Sequence, residues 1–192
     1  IKHPHLSPML SLAKYQADKI TKAPPAETNS WLTKHEYKTY TTYEASPKFD
    51  GNSANIIYKS GKLFRILQRG DGVVARDVMV HLRNKVPATI SEKNDVEIRV
   101  EVLMPKDVFA KKYAADYENE RNLVAGILNR DDNTADVLDD LQIAAHEYKV
   151  HNVDGTIFYK SSKDLSTEGF NSYHPLYTIM FSKDEFEEVY QL

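Results

Sequence analysis

The chain has 192 residues and a mass of 22.0 kDa, with 41% hydrophobic and 28% charged residues, enough for one ordinary domain with a real core. No run is long and apolar enough for a membrane-spanning helix, no signal-peptide pattern opens the chain, and the absence of Cys excludes disulfides and thiolate metal sites, which fits a cytoplasmic setting. The formal charge of −3 argues against a purely electrostatic nucleic-acid binder, so any DNA contact has to be local or supplied elsewhere.

In chain order, Met9, Leu10, Leu12, Ala13 and Ile20 fall at roughly helical spacing and predict a helix beginning near Ser11. Ala23-Pro24-Pro25-Ala26-Glu27 breaks it, and a short helix is expected over residues 30–35. The Tyr- and Thr-rich run 37–45 has strand propensity and ends at Pro47. Residues 54–59 and 63–68, joined by Ser60-Gly61-Lys62, predict a β-hairpin. Gly70-Asp71-Gly72 reads as a tight turn, followed by a short helix or irregular segment around Val78, Val80 and Leu82. Residues 96–103 alternate Val96, Ile98, Val100 and Val102 against Glu97, Arg99, Glu101 and Leu103, a strand with one largely polar face. Pro105 opens a helix to about Ala114, and 119–129 predicts another. Residues 141–150 and 156–160 read as paired strands, while 165–170 and 183–192 are helical candidates flanking an extended piece at 173–181. The expected fold class is α+β around an antiparallel sheet rather than a βαβ series. The expected organisation is a helical segment at 1–36, a sheet core at 37–160 and a helix/strand segment at 161–192. The chain begins at Ile1 and stops at Leu192 inside a helix-like pattern, so it reads as a fragment or the ordered part of something larger.

The residues that can carry chemistry are spread along this frame. Lys48 stands two residues before Asp50-Gly51; Arg69-Gly70-Asp71-Gly72 follows about twenty residues on, and Glu101 lies on the polar face of the later strand. A lysine amine becomes a nucleophile when desolvation or nearby positive charge favours its neutral form. Attack on phosphorus also requires cations to neutralise phosphate oxygens. Any one of these short patterns is more often an ordinary surface turn or strand residue, but their order and spacing together suggest covalent nucleotidyl transfer through lysine. The histidines His81, His146, His151 and His174 have no metal-ligand spacing, and the 12 tyrosines fit strand and core usage better than base stacking.

Several segments make the reading specific. His5-Leu6-Ser7-Pro8-Met9-Leu10-Ser11-Leu12 resembles the H-x-x-P-M-L-S-L stretch that opens the nucleotidyltransferase domain of NAD-dependent DNA ligases. Pro47-Lys48-Phe49-Asp50-Gly51 resembles their adenylated-lysine motif. Gln68-Arg69-Gly70-Asp71-Gly72, followed by Arg76-Asp77-Val78, is similar to T-R-G-D-G and E-D-V. Ile98-Arg99-Val100-Glu101-Val102-Leu103-Met104-Pro105 is similar to V-R-G-E-V-F-M-P, and Asn119-Glu120-Arg121-Asn122-Leu123-Val124-Ala125-Gly126 to N-P-R-N-A-A-A-G. ATP-dependent ligases and capping enzymes share the lysine motif without the first and last of these segments.

The resemblance implies an antiparallel-sheet covalent nucleotidyltransferase core of ATP-grasp-like kind, incomplete at its C-terminal end. It implies that Lys48 forms a phosphoramidate with AMP and that Asp50 contacts the ribose side. Ser11 and Leu12 would border the nucleotide pocket, Arg69 would lie by the ribose or phosphate, Glu101 would serve the ribose and metal environment, and Arg121 the phosphate or nick side. NAD, Mg²⁺ and nicked double-stranded DNA are the implied substrate, cofactor and partner. Departures from the pattern matter as well. Ser46 stands where the family places an adenine-reading glutamate; either Glu44 reaches in through a strand irregularity or adenine recognition is altered. Val100 replaces a glycine, with its side chain expected on the opposite strand face, and Asn129 falls where a second arginine is frequent. Val153-Asp154-Gly155-Thr156-Ile157 resembles the later D-G-V-V-x-K motif only superficially, being early and lacking its lysine. Three readings follow: a ligase adenylation domain seen in part; one subunit of a split ligase of bacteriophage kind, with a partner carrying the later motifs and the oligonucleotide-binding domain; or a ligase-derived nucleotide- or partner-binding module without sealing activity. The 192 residues alone are expected to seal nicks poorly or not at all.

Overall fold

The alternation around Ile98 and the Ser60-Gly61 turn place two neighbouring strands, and a five-stranded antiparallel sheet forms around them. The structure, a computed structural model, describes residues 1–10, 28, 33–34, 43–45, 48–131, 135–170 and 179–186. It divides into two compact units, one of residues 1–10 and 48–175, the other of 11–47 and 176–192. In the second unit the described strands β2 (Tyr43–Ala45) and β9 (Ile179–Phe181) pair antiparallel, and a 3₁₀ turn spans Lys183–Glu185. Thr33 and Lys34 have helical backbone within the expected short helix. The predicted helix from Ser11, the proline loop after it, residues 37–42 of the expected strand and residues 187–192 of the expected last helix lie outside the described residues.

In the first unit, β3 (Asn52–Lys59), β4 (Lys62–Gln68), β6 (Asp95–Leu103), β7 (Gln142–His151) and β8 (Ile157–Lys160) form the sheet in the order β4-β3-β6-β7-β8. The β3–β4 hairpin closes through Ser60 and Gly61, both at positive φ (50° and 76°), the combination that matches a two-residue turn to the twist of its strands. The short strands β1 (Lys2–Pro4) and β5 (Val74–Arg76) pair as a separate ribbon. Helices α1 (Met79–Leu82), α2 (Lys106–Lys112), α3 (Glu120–Leu128), α4 (Ala135–Asp140) and α5 (Ser162–Thr167) complete the described elements of this unit, with a 3₁₀ turn at Arg83–Lys85. Neither β1, β5 nor α4 was expected from sequence. The Asp154-Gly155 stretch is simply the exposed turn joining β7 to β8, with Asp154 Oδ1 accepting from the Thr156 backbone N at 2.9 Å.

Period-two alternation decides what each face of the sheet does. Ala54, Ile56 and Tyr58 from β3, Val96, Ile98, Val100 and Val102 from β6, and Ala145, Tyr148 and Val150 from β7 enter the main core. Leu123, Val124, Ile127 and Leu128 from α3 pack into the same core. Each Val, Leu or Ile among them contributes about 1.5–3 kcal/mol on full burial. Val100 is fully buried there, on the face opposite Glu101, as its alternation required. The other face carries most of the polar side chains of these strands. Across β3, β6 and β7 the register aligns Ser53, Glu101 and Ala144, then Asn55, Arg99 and Glu147, then Ile57, Glu97 and Lys149. A bulge at His146, between the pairs Arg99–Glu147 and Val100–Ala145, keeps this alignment on one face. The face is not the solvent-washed surface that its polarity suggested: Glu97 and Asn55 are fully buried and Lys149 nearly so.

Candidate active site

The site is organised around the first residues of β3. Gly51 lies so close to β6 that a Cβ placed on it would stand 2.3 Å from the Val102 carbonyl oxygen. This close approach seats the residue that follows Asp50 against the end of β6. One residue into the strand, Ser53 Oγ donates to Glu101 Oε2 at 2.7 Å, and the Ser53 carbonyl accepts the Arg69 backbone N–H at 3.2 Å. Asn52 Nδ2 donates to the Arg121 carbonyl at 3.0 Å, and Arg121 Nη1 lies 3.5 Å from Asp50 Oδ1.

Each of these groups is set by local chemistry. Arg121 sits in the first turn of α3 because Asn119 caps that helix, its Oδ1 accepting from the Asn122 backbone N at 2.8 Å. The N-x-R-N spacing thus aims a guanidinium at Asp50. The ion pair is exposed on both sides and contributes at most about 1 kcal/mol to stability, so its value is orientation. Arg69 precedes a turn in which Asp71 Oδ1 accepts from the Val73 and Val74 backbone N–H groups at 2.9 and 2.7 Å. Those two bonds, Val74 first, hold the Asp71 carboxyl below the usual range. Gly70 is required by this turn: its φ is +58° and a Cβ would meet the Val74 carbonyl oxygen at 2.3 Å.

Of the residues expected from sequence, Asp50, Glu101, Arg121 and the Arg69 backbone therefore gather around residues 50–53. Lys48 stands two residues before Asp50 and its side chain is exposed. Among the described residues, packing within the protein does not cover this amine. Ser11, Leu12 and Ser46 lie outside the described residues; Glu44 is in β2, its backbone paired with Met180. Among the described residues no group of three or more His, Asp or Glu could hold a metal ion. Mg²⁺ commonly uses one or two carboxylates and completes its shell with phosphate oxygens and water. Asp50 and Glu101 are donors of that kind, so the donor set fits an ion shared with a substrate.

Sequence reasoning missed a second group of residues beneath this site. Leu6, Ser7, Asn55 and His151 converge on Glu97, and His5 joins them through Asn55. Burial pushes the Glu97 carboxyl up, and the hydrogen bonds from Ser7, Asn55 and His151 outweigh it, leaving the group below its ordinary value. A carboxyl depressed in the fold stabilises fully above its unfolded pKa and loses that contribution as pH falls through the lowered value. Stability to urea should therefore decline as pH drops below about 4.3, and Glu97→Gln should flatten that decline. Parallel pH profiles for the two proteins in equilibrium unfolding would contradict the assignment.

A family model for the NAD-dependent DNA ligase adenylation domain matches residues 1–192. The chain belongs to that family. Among its relatives, the DNA ligase of Wolinella succinogenes is 31% identical over 181 residues, 86% of this chain and 27% of that protein. The DNA ligase of Campylobacter concisus is 42% identical over 113 residues, 54% of this chain and 17% of that protein. That of Borreliella burgdorferi is 36% identical over 134 residues, 67% of this chain and 19% of that protein. The chain thus spans between about a sixth and a quarter of these relatives' lengths. Among the described residues no helix is long and apolar enough to cross a membrane.

Proposed function

We propose that this chain captures AMP from NAD on Lys48 and delivers it to the 5′-phosphate of a nick in duplex DNA. The observation that carries the reading is the gathering of Asp50, Glu101, Arg121 and the Arg69 turn around the strand that Lys48 leads into, in a chain of this family. The Lys48 amine, having given up a proton, attacks the α-phosphorus of NAD. A P–N bond forms and the P–O bond to nicotinamide mononucleotide breaks. The P–N bond next gives way to an oxygen of the nick's 5′-phosphate, and attack by the 3′-hydroxyl expels AMP and seals the strand.

The side chains divide this work by charge. Arg69 and Arg121 neutralise phosphate oxygens as negative charge redistributes. Glu101, oriented by Ser53, and Asp50, oriented by Arg121, accept from the ribose hydroxyls, with Ser11 and Leu12 bordering the nucleotide as the family pattern implies. Ser46 leaves the adenine without the glutamate partner that the pattern provides. Magnesium, held through carboxylate and phosphate oxygens, would supply further charge neutralisation. The covalent nucleotidyltransferase fold, the DNA partner and a cytoplasmic setting belong to the same proposal. So does a second subunit carrying later motifs.

Intact-mass measurement on the natural polypeptide that carries these residues, after incubation with NAD or with ATP, tests the reading. One adenylate should be gained from NAD and none from ATP. Gain from ATP alone would reverse the assigned substrate, and gain from neither would favour a binding module.

A further inference from the structure

Glu97 is fully buried in β6, yet none of the chemistry above uses it. Its carboxylate accepts from the Leu6 backbone N at 3.1 Å, the Ser7 backbone N at 3.2 Å, the Ser7 hydroxyl, Asn55 Nδ2 at 2.6 Å and His151 Nε2 at 2.9 Å. A carboxylate has about four lone-pair sites, so five donors saturate it. Three of them come from Leu6 and Ser7, some ninety residues away in sequence. A buried charge used only for stability is often replaceable by an apolar side chain. Here such a replacement would strand buried backbone and hydroxyl donors that have to be paired.

The same segment holds the Arg69 turn from the other side. The His5 backbone N donates to the Val73 carbonyl at 3.0 Å and the Met9 backbone N to the Gly72 carbonyl at 2.8 Å. Arg99 Nη2 fixes the Pro8 carbonyl at 2.6 Å. A side-chain relay runs parallel to these bonds. Asn55 Nδ2 donates one hydrogen to Glu97 and the other to His5 Nδ1 at 3.1 Å. Because His5 Nδ1 accepts, the ring proton of the neutral imidazole sits on Nε2, which donates to the Arg69 carbonyl at 3.1 Å. Residues 5–9 are therefore a strap, pinned below by one carboxylate and clamping the Arg69–Val73 backbone above.

We propose that Glu97 is a positioning residue, which anchors the strap of residues 5–9 and thereby fixes Arg69 against the start of β3, setting how tightly the nucleotide phosphates are held. The inference rests on the assignment of Arg69 to the nucleotide. It concerns binding geometry and leaves the attacking amine untouched. Removing the anchor should therefore weaken NAD binding more than it slows chemistry at saturation.

The test compares the natural polypeptide with its Glu97→Gln and Ser7→Ala variants. Gln offers an N–H₂ where the strap presents donors, so it breaks the anchor while conserving shape; Ser7→Ala removes only one donor and guards against a failure to fold. The expected result is a rise of about tenfold or more in the NAD concentration giving half-maximal AMP capture for Glu97→Gln, and a smaller rise for Ser7→Ala. Backbone amides of Leu6, Ser7, Met9 and Val73 should exchange faster while those of β3 and α3 keep their protection. Leu165→Ala, a cavity in the core away from the strap, should lower the melting temperature with half-saturation unchanged. A Glu97→Gln protein that melts earlier, binds NAD as wild type does and keeps its strap amides protected would overturn the inference alone. A wild-type protein that takes up no AMP from NAD would overturn the adenylation reading, and this inference with it.

Discussion

Lys48→Ala should abolish covalent AMP capture while leaving stability within about 0.5 kcal/mol of wild type, the range for a surface substitution away from packed features. The side chain is exposed, so its removal opens no cavity and strands no buried partner. Lys48→Arg sharpens the test. It keeps the positive charge but replaces an amine that can be deprotonated with a guanidinium that stays charged. If Lys48 merely attracted phosphate, arginine would preserve adduct formation; as the nucleophile, it is irreplaceable. Both variants should therefore give no adenylated protein by intact mass, with unfolding curves superimposed on wild type. Persistent adduct in either variant would move the nucleophile elsewhere.

Gly51→Ala should damage both stability and activity. The added Cβ would meet the Val102 carbonyl oxygen at 2.3 Å and Leu103 Cδ2 at 2.6 Å. The leucine methyl can rotate aside; the carbonyl belongs to the strand backbone, so the first residues of β3 have to move instead. Overpacking of this kind costs about 1–3 kcal/mol. The same movement displaces the segment that carries Lys48 and Asp50 and disturbs the Ser53–Glu101 bond next to it. A displacement of about 1 Å between reacting groups can cost about 10²-fold in rate. Adduct formation should fall by about that factor at temperatures where the variant is still folded, as followed by circular dichroism. A variant with a lower melting temperature but unchanged adenylation rate would show that the Gly51 contact serves packing only.

What sequence could reveal here depended on whether the signal was local. The β3–β4 hairpin and β6 were legible because a short glycine turn and a period of two are written in adjacent residues; the turn proved one residue shorter than expected, Lys62 already belonging to β4. The helix expected over 119–129 forms as α3. Strands β1 and β5 are three residues each, too short for any period, and exist because each finds the other about seventy residues away. The polar face of β6 was legible as polar but not as buried, since alternation says which residues share a face and not what covers it. Glu97 was missed for that reason: its partners Leu6 and Ser7 lie outside any local window. His5 and Ser7 were visible only as members of a family segment, with no physical task attached. The exposure of Lys48 is likewise absent from its motif, since a short pattern does not say what packs against it.

The most direct measurement is proteolytic mapping of the adenylate after incubation with NAD, under alkaline conditions that spare an acid-labile phosphoramidate. The peptide containing Lys48 and Asp50 should carry the whole of the added mass, and Glu97→Gln should reduce its yield at low NAD without moving it. Adenylate on any other residue, or linked through an ester oxygen, would contradict the claim that this lysine is the attacking group.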